Sequence, residues 1–95
     1  MTTREVLLKA ADIIEEKGWY QGNMIGPKGE LCMLGALNVA SDYSLEYFNV
    51  RTVVRDHLHI SVKDKSFSLS NWNDAPERTK EEVIAALRGA AEEQA

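Results

Sequence analysis

Ser70-Asn71-Trp72-Asn73-Asp74-Ala75-Pro76-Glu77-Arg78-Thr79-Lys80-Glu81-Glu82 joins a tryptophan, flanked by amides and a carboxylate, to a proline and then to a helix start. Thr79 and Glu82 have the spacing of a capping box, in which each residue satisfies a backbone N–H that the first helical turn leaves unpaired. Glu81 and Glu82 also suit the positive end of the helix dipole. Val83, Ile84, Leu87, Ala90 and Ala91 then recur at helical spacing and define the buried stripe of a C-terminal helix. Upstream of the cap, Asn73 and Asp74 are side chains suited to Asx-turns leading into Pro76, with Trp72 as an apolar anchor between the first and last helices. The same residues, Trp72 with Asn73, Asp74 and Arg78, also have the composition of a recognition hot spot. If they form a surface site, Trp19 and Gln21 are the expected neighbours.

Working outward, Thr2 and Glu5 repeat the capping-box spacing ahead of Leu7, Ala10, Ala11 and Ile14. A first helix is expected over about residues 3–17, closed by Gly18. Trp19 to Met33 brackets a Gly26-Pro27-Lys28-Gly29 turn signal, for which a small β-hairpin or an extended loop is expected. Leu31 to Ala40 reads as a short buried helix, with Gly35 permitting the close approach of another element. Ser41-Asp42 or Ser44 can cap a third helix carrying the stripe Tyr47, Val50, Val54 and Leu58. Ile60-Ser61-Val62 and Phe67-Ser68-Leu69 alternate with period two, consistent with a hairpin or a pinned loop. The expected fold is therefore α+β and mostly helical, about four helices with a small β-hairpin element in a single compact domain.

The 95 residues are the size of one domain, with 44% hydrophobic and 27% charged residues. The net charge of −4 argues against non-specific binding to nucleic acid or anionic lipid. Cys32 is the sole cysteine, which excludes an intrachain disulfide and a cysteine-based zinc cage. No apolar run is long enough to span a bilayer, and the N-terminal residues lack a secretory pattern. A cytoplasmic protein is expected, binding neither nucleic acid nor membrane.

Three patterns carry a resemblance. Gly18-Trp19-x-Gln21-Gly22, Cys32-x-x-Gly35-Ala36-Leu37 and Trp72-Asn73-Asp74-x-Pro76-x-Arg78-Thr79 occur in that order. Together they resemble a family of small actinobacterial and actinobacteriophage proteins of unknown function. The resemblance implies a phage or actinobacterial setting and implies no activity. Nothing in residues 41–69 matches it, so His57 and His59 inherit no role.

Two chemical readings compete at Cys32. A thiol at a helix start can be activated as a nucleophile, with His57 or His59 as base and Asp74 or Asn73 as orienter, as in a cysteine hydrolase or transferase. Alternatively Cys32 is a small buried apolar residue, the reading favoured here. His57 and His59 are two apart, so on a helix they cannot share a metal ion, and no metal or cofactor is expected. Gly22, Gly26 and Gly29 match no phosphate-binding signature. The expected role is that of an accessory protein, more readily a binder than an enzyme. Its expected partner is another protein, a host protein if the chain is phage-encoded. Self-association is the structural alternative.

Overall fold

Both N-capped helices named above form where their sequence signals place them. The computed structural model describes residues 1–60 and 68–94 and shows five helices in chain order. Helix α1 (Thr3–Lys17) begins with a complete Thr2/Glu5 capping box and ends at Gly18, whose φ of 96° a side-chain-bearing residue rarely adopts. Helix α2 (Met33–Ala40) starts two residues later than expected, because Cys32 is its N-cap rather than part of its first turn. Helix α3 (Glu46–His57) follows a turn in which Asp42 and Tyr43 both take positive φ. Ser44 Oγ accepts from the Glu46 N–H at 3.3 Å, and Val50 and Val54 form the buried line of the helix. Helix α5 (Lys80–Glu92) is capped by Thr79, whose hydroxyl accepts from the Glu82 N–H.

Helix α4 (Leu69–Asp74) has no counterpart in the expected fold. Its six residues are mostly poor helix formers and too few to display a period. Ser68 starts it by accepting from the Asn71 N–H, and buried Leu69 fixes it to the core. It ends at Ala75, which takes φ −57° and ψ 135°. The residue before a proline is driven out of the helical region by the proline ring.

The expected β-hairpin between Trp19 and Met33 is not there, and no strand occurs among the described residues, so the fold is all-helical rather than α+β. The Gly26–Gly29 turn does close, with the Gly29 N–H bonded to the Gly26 carbonyl. Its arms, however, make only two isolated bridges, Trp19 with Leu31 in parallel and Ile25 with Leu31 in antiparallel sense. Leu31 threads between the two flanks of the loop, its N–H bonded to Gly18 and its carbonyl to Tyr20 N–H. A ladder stops there because side chains from α4 take the neighbouring backbone groups, Tyr20 C=O and Gly22 N–H. Of the second alternating pair, Ile60-Ser61-Val62 and Phe67-Ser68-Leu69, residues 61–67 lie outside the described residues, while Ser68 caps α4 and Leu69 begins it, so that end of the pair is helical and not a strand.

The core is one cluster. Val6, Leu7, Ala10, Ala11 and Ile14 of α1 meet Val83, Leu87, Ala90 and Ala91 of α5 on one side and Met33, Ala36, Leu37 and Ala40 of α2 on the other. Alanines at these seams let the helices approach closely. Arg88 bridges the outer edge to Asp12 and Glu15, an exposed pairing that contributes little to stability. No helix among the described residues is long and apolar enough to cross a membrane.

Candidate functional site

Helix α4 projects Asn73 into the space between the 19–31 loop and the start of α2, where it is fully buried. Its amide uses every hydrogen-bonding position it has. Oδ1 accepts from Trp19 Nε1 at 2.7 Å and from the Met33 N–H at 3.0 Å. Nδ2 donates to the Tyr20 carbonyl at 3.1 Å and to Asp74 Oδ1 at 2.9 Å. One side chain thus ties together the loop, the first turn of α2 and its own helix. The bond to Met33 satisfies one of the N–H groups orphaned at a helix start.

The surrounding residues repeat the pattern. Asp74 Oδ1 also accepts from the Gly22 N–H at 3.1 Å. Gln21 Nε2 donates to the Asn73 carbonyl, one of those the end of a helix leaves without an intrahelical partner, and to the Ala75 carbonyl, which also accepts from the Arg78 N–H. Arg78 lies 3.9 Å above the Trp72 ring, donates from Nε to the Trp72 carbonyl and pairs with Glu82. The sequence-derived set Trp19, Gln21, Trp72, Asn73, Asp74 and Arg78 is therefore brought to one place. Most of the hydrogen bonds it makes run to backbone that it holds.

A pocket of about 240 Å³ opens beside this hub, lined by Gly22, Asn23, Met24, Cys32, Ser70, Asn73 and Asp74. Cys32 and Asp74 share it. Cys32 is buried, and its Sγ accepts from the Gly35 N–H at 3.3 Å as the cap of α2. Burial pushes its thiol pKa up, the nearby Asp74 carboxylate adds to the rise, and the Gly35 and Leu34 N–H groups offset it only in part. Desolvation outweighs the helix-start effect on which the sequence argument relied. His57 lies elsewhere, on the final turn of α3, where its Nδ1 contacts Glu93 and its ring packs on Gly89. His59 occupies the turn after α3 with a φ of 58°. Among the described residues no group of three or more His, Cys, Asp or Glu side chains is arranged to hold a metal ion.

Sequence reasoning missed a second feature. Among the described residues, the large apolar side chains left exposed, Met1 apart, fall in two short segments: Met24 and Ile25 in the loop, and Tyr43, Leu45 and Phe48 at the entry to α3. Ile25 is 59% exposed, Tyr43 67%, Leu45 81% and Phe48 51%. Met24, Ile25 and Tyr43 meet over Gly35, Asn38 and Val39 at an apolar groove of about 120 Å³. The signal available beforehand was Phe48, which falls off the Tyr47–Val50–Val54–Leu58 stripe and so had no core position to occupy.

The three motifs that carried the resemblance meet in this region. Trp19, Gln21 and Gly22 bond to the α4 terminus, Cys32 and Gly35 shape the start of α2, and Asn73 and Asp74 join the two. No curated protein and no solved structure matches the chain. A family match covers residues 1–93. The chain belongs to DUF6197, a family of unknown function.

Proposed function

We propose that this chain is a non-catalytic accessory protein of the cytoplasm that acts by binding another protein. The observation that carries this is the meeting of exposed Met24, Ile25 and Tyr43 at one apolar groove, with Leu45 and Phe48 exposed a few residues further along the chain. Grouped apolar exposure of this kind is characteristic of interaction surfaces, whereas single exposed residues need no explanation. The groove among Met24, Ile25, Val39 and Tyr43 suits one apolar side chain of the partner.

In this reading the Trp72-Asn73-Asp74 segment is the frame and not the contact. Asn73 and Asp74 fix the loop that displays Met24 and Ile25, so the surface is held in one conformation before a partner arrives. Preorganisation of that sort lowers the entropic cost of association. The resemblance of the motifs supports a phage or actinobacterial setting, with a host protein as the partner in the phage case.

The test is affinity capture from lysate of the source cell, with the wild type compared against Ile25→Asp and Tyr43→Asp. A partner retained by the wild type and lost from both variants, with unchanged circular dichroism, supports the proposal. Capture that is indifferent to both substitutions overturns it. So does a concentration-dependent mass in sedimentation that Ile25→Asp abolishes, which assigns the surface to self-association.

A further inference from the structure

Helix α3 carries two arginines that pair with no acid among the described residues. Leu45, Phe48, Arg51, Thr52 and Arg55 recur at spacings of three and four, and so share one face, beside the buried Val50 and Val54. The Arg51 guanidinium lies 5.2 Å from the Phe48 ring centroid and 5.6 Å from that of Tyr47. The two rings in turn meet edge to face at 5.3 Å. No carboxylate pairs with Arg51 or Arg55 among the described residues, and the Nε atoms of both are covered without an acceptor. Arg78 and Arg88, by contrast, each pair with carboxylates of this chain.

We propose that this face of α3 docks an acidic segment of a partner protein, with carboxylates about one helical turn apart beside an apolar side chain. The proposal rests on the protein-binding reading above and names the partner's chemistry. Cation–π contact with Phe48 and Tyr47 restrains the Arg51 guanidinium, whose terminal N–H groups a carboxylate can bind in bidentate fashion. Arg55 presents a second cation one turn further along. Exposed Phe48 and Leu45 supply the apolar contact next to them. Charge complementarity selects the partner: cations without a counterion among the described residues sit on a chain whose net charge is −4. That overall charge, and the apolar half of the face, disfavour a nucleic-acid backbone as the occupant.

The experiment titrates the full chain into a fluorescein-labelled amphipathic peptide bearing Glu at i and i+4 beside Leu and Trp. A peptide with Lys in place of both Glu residues is the control. Expected is saturable binding of the Glu peptide alone, weakened by added salt. Arg51→Glu and Arg55→Glu should each weaken it by about tenfold or more. Arg51→Lys should fall between wild type and Arg51→Glu, and the double Glu variant should gain affinity for the Lys peptide. Circular dichroism and thermal melting confirm that each variant is folded. Absence of saturable binding, or binding indifferent to both arginines, overturns the proposal. So does a single-stranded oligonucleotide bound in an Arg51-dependent manner, or a homodimer lost in Arg51→Glu. A natural partner lost from Ile25→Asp but kept by the double Glu variant sinks this proposal and leaves the protein-binding reading standing.

Discussion

Asn73 makes two acceptor and two donor bonds from a side chain with no exposed surface. Truncation to alanine strands Trp19 Nε1, the Met33 N–H and the Tyr20 carbonyl, and a buried polar group without a partner costs about 1–3 kcal/mol. Asn73→Ala is therefore expected to lose about 3 kcal/mol or more in urea denaturation. Asn73→Asp is expected to be no better, because it sets a carboxylate against the Tyr20 carbonyl and Asp74. Cys32 illustrates the opposite outcome. Its roles are a weak cap and a small buried volume, so Cys32→Ser, which keeps a capping oxygen, should change stability by no more than about 1 kcal/mol. The raised thiol pKa predicts slow reaction of the native protein with Ellman's reagent at neutral pH and fast reaction in urea. A fast native reaction would restore the nucleophile reading.

Gly35 shows how an element is placed by what it lacks. A Cβ there would stand 2.4 Å from the Met24 carbonyl oxygen and 3.2 Å from Leu31. That carbonyl accepts from the Cys32 N–H, so the loop presses on α2 and caps it at once. Alanine gains about 1 kcal/mol of helix propensity, yet the contact is with backbone that is already bonded and has little room to move. Gly35→Ala is expected to be net destabilising by about 1–3 kcal/mol in chemical denaturation, the usual cost of overpacking. Helix α4 depends on its neighbours in a similar way. Six residues cannot hold a helix in isolation, and this one persists through its Ser68 cap, buried Leu69 and the bonds that Gln21 makes to its last carbonyls.

At the scale of the whole molecule, two carboxylates among the described residues link stability to pH. Glu5 is held below its ordinary pKa by the Thr2 backbone N–H and hydroxyl, and Glu46 by bonds from Asn49 and Thr3. A carboxylate whose pKa is depressed on folding stabilises the native state above its unfolded value and loses that contribution as pH falls through the folded one. Thermal midpoints should therefore be level near neutrality and decline below about pH 4.5. Glu5→Gln keeps a capping side chain without the titration, so its acid decline should be shallower. An unchanged decline would show that other groups govern acid unfolding. The Thr3–Glu46 bond joins α1 to the start of α3, so part of this acid sensitivity lies in how the helices are assembled.

Helices α1 and α5 were fully legible in the sequence, since capping residues, apolar periodicity and a terminal Gly18 act over a few residues and need no tertiary partner. The residues that cluster around Trp72-Asn73-Asp74 were legible as well, though not their direction. Whether an amide faces solvent or a buried carbonyl depends on chain some fifty residues away. The same distance explains the absent hairpin, because local turn chemistry is right at Gly26–Gly29 while the ladder's backbone groups are taken by α4. Tertiary structure alone decided that Asn73 is the hub, that Cys32 and His57 lie apart, and that Met24, Ile25, Tyr43, Leu45 and Phe48 remain uncovered. Phe48 apart, whose place off the α3 stripe foretold its exposure, each of those outcomes is set by long-range burial and hydrogen-bond competition, which leave no periodic trace in the chain.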